Sequence, residues 1–469
     1  MIEVIKYNHI LDAFIDYQNQ IVDCQYKISK YNYLVQTSEQ KYLVYNTLHN
    51  AFAVIDEDTW HLLCTSTFDK VTKKDLDLLV KHGILVPESL NEYKDYLELF
   101  EFLQRLSRLK TGIFRYNIYT TTYCNARCPY CFEKGILQEN MDASIADKVV
   151  AFIESTYSKT SDEIYFRWFG GEPLINANII TYISKQIKEK KIPFFSTIST
   201  NGLLFNDELI SIAKSIWNLN KVRFSFDGME EVHNRRKNYV VSNGNPFKIT
   251  LNNLDSAVKA GLRVVVRLTL DTTNAYSLFD LANLLISRYG GNNNITIYSK
   301  CIFSEVSKEK FKFNPKSVEE TLKLNANLTN FLLESEMYDY ERLAPIGLRT
   351  YYCAANDPHK VVISPRGNLC SCECNCVKTE YWGDVVDKIS NRSCYDKWHI
   401  VPKVDFKCQT CPLLPVCTPF QSICPSDYFS CHDRFETTMR LFMLENYKRY
   451  KNGKPLLKDS ENFYEFSLS

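Results

Sequence analysis

Cysteine is the residue type whose spacing most clearly suggests chemistry in this chain. Cys124, Cys128 and Cys131 follow a CX3CX2C spacing directly after a predicted strand. Three thiolates on one loop can hold three irons of a 4Fe-4S cubane and leave the fourth iron open, whereas a structural zinc site needs a fourth ligand. The spacing therefore suits an iron–sulfur cluster with one open coordination position, and a closed zinc site would need a fourth ligand from elsewhere in the chain.

A second group of cysteines fills the C-terminal part of the sequence. Eleven of the 17 cysteines fall between Cys353 and Cys431, and only Cys24, Cys64 and Cys301 are scattered. The N-terminal sequence MIEVIKYNHI has no apolar signal region, and no stretch approaches the length of a membrane span. We therefore expect a cytoplasmic, reduced protein whose clustered thiols are metal ligands or redox groups rather than disulfides.

The composition is that of a folded protein with little net charge. The 469 residues contain 45% hydrophobic side chains, and Lys+Arg 56 against Asp+Glu 55 leaves a net charge of +1. This length predicts two or three domains, and the near neutrality argues against nucleic acid or a membrane as the partner.

The central part of the chain alternates strand-like and helical segments, which indicates parallel strands joined by right-handed crossovers. The predicted strands are FRYNIYTTT, EIYFRWFG, FFSTIST, KVRFSFD, RVVVRLTL and ITIYSK. Six such units predict an α/β fold with a partial (β/α)6 barrel over residues 111–340, too few for a closed eight-stranded barrel.

The flanking segments differ from the barrel in their pattern of predicted elements. The sequence of residues 1–110 predicts a compact module of three strands, short helices and one long helix. Residues 341–450 are rich in cysteine and turns apart from a final helix, so bound metal would supply part of their folding energy. Residues 451–469 form a polar tail.

The first cysteine group resembles the cluster motif of the radical S-adenosylmethionine (SAM) superfamily, with Tyr130 at its aromatic position. The resemblance implies that the three cysteines bind a 4Fe-4S cluster, that its open iron binds SAM, and that SAM cleavage yields a 5'-deoxyadenosyl radical. Later strand ends also match the family, and the implied SAM-binding residues are Gly170, Gly171, Glu172, Pro173, Ser199, Asn201, Ser225, Asp227 and Arg267.

The segment SFDGMEEVHNRRK departs from the family pattern SxDGxxxxHDxxR. Asn234 replaces the usual Asp, and Lys237 stands at the usual Arg position. Arg236 or Arg235 is the expected partner of the SAM carboxylate, because a planar guanidinium suits a carboxylate.

The second cysteine group resembles the SPASM extension of radical SAM enzymes. Gly367 and Cys372 form its GX4C element, and the gap between Cys417 and Cys424 is longer than usual. The resemblance implies two auxiliary 4Fe-4S clusters, the first bound by Cys353, Cys372 and Cys424 and the second by Cys408, Cys411, Cys417 and Cys431.

The fourth ligand of the first auxiliary cluster is not assigned. His359 stands where relatives carry a cysteine, and Cys370, Cys374 and Cys376 are alternatives, on one side of the chain if CSCECNC is extended. The cluster could also keep an open iron for a substrate thiolate.

The N-terminal module is similar to the precursor-recognition domain of peptide maturases, which implies a winged-helix-like fold that binds a leader peptide as an added strand. We therefore expect a radical SAM maturase that installs thioether crosslinks in a ribosomally made precursor peptide and takes electrons from a flavodoxin- or ferredoxin-type reductant. The alternatives are a carbon–carbon or carbon–oxygen crosslinking cyclase, a sulfatase-maturase-type formylglycine-forming enzyme, and a non-catalytic iron–sulfur or zinc scaffold or electron carrier. The general base is not assigned.

Overall fold

The structure is a computed structural model that describes residues 3–6, 25–109, 111–159, 163–240, 244–302, 315–343, 354–376, 380–399, 404, 406–417 and 431–457. Its strands are β1 (Glu3–Lys6), β2 (Tyr26–Ile28), β3 (Asn32–Gln36), β4 (Lys41–Asn46), β5 (Ala51–Asp56), β6 (Leu85–Pro87), β7 (Arg115–Thr121), β8 (Ile164–Gly170), β9 (Phe194–Thr200), β10 (Leu219–Phe226), β11 (Arg263–Leu270), β12 (Ile295–Cys301), β13 (Lys360–Ile363), β14 (Asn368–Cys370), β15 (Gly383–Asp384) and β16 (Lys388–Ile389). Its helices are α1 (Glu57–Cys64), α2 (Lys73–Lys81), α3 (Glu92–Leu109), α4 (Ala143–Thr156), α5 (Ala177–Glu189), α6 (Asp207–Ser215), α7 (Glu230–Lys237), α8 (Pro246–Lys259), α9 (Ala275–Tyr289), α10 (Pro315–Glu334), α11 (Glu373–Cys376), α12 (Arg392–His399) and α13 (Cys431–Lys451).

The chain divides into two compact units, and the larger one, within residues 110–339 and 354–400, contains the predicted barrel. Strands β7 to β12 are parallel neighbours in chain order. Each is followed by helical crossover sequence, as the alternation of the sequence predicts. The predicted α/β partial barrel of six strands is therefore confirmed.

Alternation of buried and half-buried side chains gives these strands two different faces. In β8 and β9 every second residue is fully buried, and the residues between them are half-buried. The buried face packs beneath helices such as α5, whose Ile180, Ile183 and Ile187 are buried. Consequently the half-buried face, which carries polar residues such as Arg167 and Ser199, lines the concave side of the barrel.

The cysteine-rich sequence after the barrel continues the same sheet. Strand β13 pairs in parallel with β7, and β14 pairs antiparallel with β13. The segment CSCECNC does not stay extended, because α11 begins at Glu373. The prediction that its four cysteines lie on one side of an extended chain is wrong for this reason.

The second unit, within residues 1–109, 340–353 and 401–469, contains the N-terminal module. Among the described strands its antiparallel sheet has the order β1-β5-β4-β3, so β3 lies at an edge of that sheet. The loop of Cys408 to Cys417 also belongs to this unit, since Leu414 packs with Tyr31 and Tyr96 of the module. Helix α13 reaches the same sheet through a ring contact of 5.7 Å between Phe442 and Tyr45.

The element boundaries agree closely with the sequence-based prediction. Helix α8 begins three residues before the predicted start at Ile249, because the Asn245 side chain accepts the Lys248 N–H and Pro246 occupies the first turn. The predicted segment 341–450 contributes to both units. Among the described residues, no helix has the length and apolar character needed to cross a membrane.

Candidate active site

The three cysteines of the CX3CX2C motif lie on the loop between β7 and α4. All three thiols are half-buried, and the Ala126 N–H donates to Cys124 Sγ at 3.4 Å. Burial raises the pKa of Cys124 to about 12 and that of Cys131 to about 11. Without metal, Cys124 and Cys131 are therefore protonated thiols, and iron binding must release their protons.

The end of helix α7 supports this loop from one side. The Arg127 N–H donates to the Lys237 and Asn238 carbonyl oxygens at 2.9 and 3.0 Å, and the Val240 N–H donates to the Asn125 carbonyl at 2.8 Å. Asn238 adopts the left-handed conformation, with φ of 48°, that turns the chain out of the helix. The loop and the helix end therefore position each other.

Two glycines allow the end of β8 to approach the loop from the other side. A Cβ atom added to Gly170 would lie 2.1 Å from the Thr121 carbonyl oxygen, and one added to Gly171 would lie 2.3 Å from the Tyr123 carbonyl oxygen. Gly170 also has φ of 137°, which other residues rarely adopt. No side chain fits at either position, so the requirement for the GG pair is steric.

Glu172, which follows the glycines, is a buried carboxylate with an elevated pKa. It accepts the Asn201 N–H at 2.8 Å and the Thr200 hydroxyl at 2.7 Å. Burial raises the pKa of Glu172 to about 7 despite these hydrogen bonds. A bound ammonium group would stabilise the ionised form and lower this pKa.

Asp227, at the end of β10, connects the aromatic residue of the motif to a buried cation. Its carboxylate accepts the Tyr130 hydroxyl at 2.5 Å and lies 3.3 Å from Lys237 Nζ. The same ammonium group donates to Ser225 Oγ at 2.9 Å. Lys237 and Asp227 are 3% and 0% exposed, so this is a buried ion pair.

Of the two arginines predicted to meet the SAM carboxylate, only one lies beside Asp227. Arg236 Nη2 donates to Asp271 at 2.7 Å, and its Nε lies 3.8 Å from Asp227. The Arg235 side chain is 66% exposed and pairs with Glu231 at 3.5 Å. Lys237 and Arg236, and not Arg235, are therefore the cations beside Asp227.

The other predicted SAM residues lie on neighbouring strands of the barrel. Ser199 Oγ is 3.4 Å from Arg223 Nη1, and Asn201 Nδ2 donates to Asn125 at 2.6 Å. Arg267 faces Ser225 across the β10–β11 pair. Pro173 is buried at the start of the turn after β8.

The donor set and the unsatisfied polar atoms fit a 4Fe-4S cluster with SAM. Asn125 Nδ2, Arg267 Nε and Thr269 Oγ1 are buried and have no hydrogen-bond partner among the described residues. Across that part of the chain no three His, Cys, Asp or Glu side chains converge as ligands of a single metal ion. A cubane needs no such convergence, because each thiolate binds a separate iron.

Sequence reasoning missed three polar residues at this site. Asp271 follows β11 directly and holds Arg236, Asn125 adjoins Cys124, and Glu133 is a buried carboxyl whose pKa burial raises to about 8. Their positions at strand ends or beside the motif were the available signal.

The second cysteine group separates into buried and accessible thiols. Cys370 and Cys376 are each 1% exposed and pack with Tyr119 and Val362, whereas Cys372 is half-buried and Cys374 is exposed. In the other unit Cys408, Cys411 and Cys417 are half-buried. Cys353, Cys424 and the Cys431 side chain lie outside the described residues.

His359, the alternative ligand for the first auxiliary cluster, is almost fully buried. Its Nδ1 lies 2.8 Å from the Gly112 carbonyl oxygen, and its ring packs against Phe114 with centroids 4.8 Å apart. The site assignments in this second group remain predictions.

Comparison with known proteins identifies the central domain. The Radical SAM superfamily model matches residues 118–277. A radical SAM cyclopropyl synthase, TigE of Paramaledivibacter caminithermalis, is 23% identical over 49% of this chain and 53% of its own length. A GTP 3',8-cyclase of Clostridium perfringens is 28% identical over 35% of this chain and 49% of its own length. The chain thus spans about half the length, or less, of the curated relatives it matches.

A solved structure shares the fold beyond this domain. Native anSMEcpe with bound AdoMet and Cp18Cys peptide superposes with a TM-score of 0.54 at 16% identity, covering 73% of this chain and 99% of that one. The matched model confirms the predicted radical SAM domain, and the two relatives named above are enzymes. Residues 118–277 therefore form a radical SAM domain, built on the partial barrel that carries the CX3CX2C loop.

Proposed function

We propose that this protein is a radical SAM peptide maturase that installs thioether crosslinks, from a Cys sulfur to carbon, in a ribosomally synthesised precursor peptide. The proposal is carried by the occurrence in one chain of a radical SAM domain and a separate module with an edge strand. Three 4Fe-4S clusters are part of the proposal, one at the CX3CX2C loop and two at the second cysteine group.

The edge strand of the N-terminal module supports the peptide as substrate. Strand β3 pairs with β4, and Leu34 in β3 is 41% exposed. A leader peptide could pair with the outer backbone of β3, while Leu34 would supply an apolar contact. The anSMEcpe structure contains a bound peptide, and we extend peptide binding to this chain.

The network around Asp227 would hold SAM in place. When bound, SAM and its cluster supply a carbon-centred radical that removes a hydrogen atom from the substrate. Glu172 would accept hydrogen bonds from the SAM ammonium group, and Lys237 with Arg236 would meet its carboxylate. The buried Asp227 keeps both cations in position, and Tyr130 ties this network to the cluster loop.

The second cysteine group supports thioether formation over the other crosslinks. Cys353, Cys372 and Cys424 supply only three thiolates, so an open iron there could hold the substrate Cys as its thiolate. We therefore propose that a Cys sulfur is the crosslinking atom.

Coexpression with the short open reading frames beside the gene, followed by mass spectrometry, tests this proposal. The expected product has lost two hydrogens per crosslink and has no free thiol at the modified Cys. Changing Cys353 and Cys372 to Ala should abolish the crosslink while 5'-deoxyadenosine formation persists. A product of wild-type mass from this variant would contradict the proposal.

Leader binding can be tested at the edge strand itself. Leu34→Lys should weaken leader binding about tenfold through loss of an apolar contact, and should leave 5'-deoxyadenosine formation intact. Leu109→Lys, at a leucine 76% exposed in the same unit, is the matched control. Equal leader binding by the wild type, Leu34→Lys and Leu109→Lys would favour the sulfatase-maturase-type alternative.

A further inference from the structure

Four large apolar side chains are exposed close to the CX3CX2C loop. Tyr123 and Ile175 are each 39% exposed, Val240 is 56% exposed and Leu137 is 68% exposed. Isolated exposed apolar residues are normal on protein surfaces, but a group around one site indicates an interaction surface. We call these four residues the rim patch.

Hydrogen bonds link the rim patch to the segment that carries the three thiols, directly for Val240, next to the loop for Leu137 and Tyr123, and through Glu172 for Ile175. The Thr122 hydroxyl donates to the Leu137 carbonyl at 2.8 Å, and the Val240 N–H donates to the Asn125 carbonyl at 2.8 Å. The Glu172 N–H donates to the Tyr123 carbonyl at 2.8 Å, and the Ile175 N–H donates to the Glu172 carbonyl at 3.1 Å. The patch is therefore part of the structure that carries the three thiols.

The charges on this loop are unbalanced, although the whole chain has a net charge of only +1. Between Tyr123 and Leu137 the exposed charged residues are Arg127 and Lys134. The only acidic residue of that segment, Glu133, is 8% exposed. The surface of the loop is thus positive and apolar, which complements an acidic partner with an apolar contact area.

We propose that the rim patch, with Arg127 and Lys134, is the docking surface of an acidic one-electron carrier of the flavodoxin or ferredoxin type. This inference rests on the proposed function, because it assumes a redox-active cluster at the loop. On docking, one electron would leave the reduced carrier and enter a cluster held by Cys124, Cys128 and Cys131, with no bond made or broken.

The chemistry of this surface favours a carrier over a tightly bound protein. Electron-transfer partners form small, transient interfaces, in which opposite charges raise the association rate. Two exposed cations and four apolar side chains suit such an encounter. The half-buried thiols lie on the same loop, so docking brings the carrier close to the acceptor.

The test compares two reductants on the anaerobically reconstituted full-length enzyme. Stopped-flow absorbance follows cluster reduction by a purified acidic flavodoxin, reduced beforehand, and separately by dithionite, which needs no docking surface. Lys134→Glu should slow reduction by flavodoxin about tenfold at low salt, because it reverses one of two exposed cations. Reduction by dithionite should keep its wild-type rate, and Lys185→Glu, at an exposed lysine on α5, should behave like wild type with both reductants.

A second variant separates the apolar contribution from the charge. Leu137→Gln should slow reduction by flavodoxin several-fold at low and at high salt, whereas the Lys134→Glu effect should disappear at high salt. An unchanged rate with flavodoxin in both variants would overturn the proposal. An equal slowing with dithionite would also overturn it, because the substitutions would then act on the cluster.

The outcomes also distinguish this inference from the proposed function. If Lys134→Glu weakens precursor-peptide binding and leaves reduction by flavodoxin unchanged, the surface binds peptide and the docking proposal fails. If flavodoxin docking is confirmed but no peptide is modified, the proposed function fails and the docking surface stands.

Discussion

The two cysteine groups of this protein differ in how their thiols are distributed over the fold. Cys124, Cys128 and Cys131 lie on one loop, and backbone hydrogen bonds from a neighbouring helix end hold that loop in place. In the second group, Cys372 belongs to the barrel unit, whereas Cys408, Cys411 and Cys417 belong to the other. The first group therefore depends on one local segment and its supports, whereas the second group comprises thiols of two separate compact units.

Removal of one thiol from the first cysteine group should have the largest effect on activity. Cys128→Ala should reduce 5'-deoxyadenosine formation to background, because two thiolates on the loop cannot hold the SAM-binding cluster. Iron and sulfide should fall by one cluster's share while the second group keeps its metal. Loss of all iron from this variant would show that the two groups do not assemble independently.

The buried pair beside the loop should give the next largest effect. Lys237→Met leaves the Asp227 carboxylate without its nearest cation and should lower the free energy of unfolding by about 3 kcal/mol. Arg235→Gln removes an exposed pair and should change it by less than about 1 kcal/mol. Urea denaturation measures both values, and equal effects would refute the distinction between these cations.

The elevated pKa of Glu172 predicts a pH-dependent stability of the metal-free, SAM-free protein. Because the pKa rises from 4.5 to about 7 on folding, its contribution is complete below pH 4.5 and is lost as the pH rises through 7. Glu172→Gln cannot ionise, so its stability relative to wild type should increase by about 3 kcal/mol between pH 4.5 and pH 8. Parallel pH profiles of the two proteins in urea denaturation would contradict this assignment.

The smallest effect concerns the unassigned thiols of CSCECNC. Cys370→Ser places a hydroxyl in an apolar cluster and should cost about 1–2 kcal/mol, whereas the exposed Cys374→Ser should cost less than about 0.5 kcal/mol. Iron content is the second measurement. A loss of iron in Cys374→Ser, but not in Cys370→Ser, would assign Cys374 to the first auxiliary cluster.

The barrel could be predicted almost completely from the sequence, because its strands and helices have clear periodicities and turn residues. The predicted RVVVRLTL strand, for example, agrees with β11 from Arg263 to Leu270. The cysteine loop could also be predicted, because its three cysteines lie close together in the chain.

The contacts of the site could be predicted less well. The prediction that Arg235 or Arg236 pairs with the SAM carboxylate took account of side-chain chemistry but not of the direction in which each residue leaves α7. In the structure Arg235 points outward and Lys237 points inward. The extended conformation of CSCECNC was wrong because cysteine spacing does not indicate that α11 begins at Glu373. Such facts depend on packing between segments far apart in sequence.

The hydrogen bonds from the Arg127 N–H to the last carbonyls of α7 have a consequence for assembly. These carbonyls lie at the helix C-terminus, where they have no partner within the helix, so the loop completes the helix end. The same helix end carries Lys237. Ordering of the cysteine loop by iron should therefore also order the helix end beside the SAM pocket and protect the amides of 236–240 from hydrogen exchange.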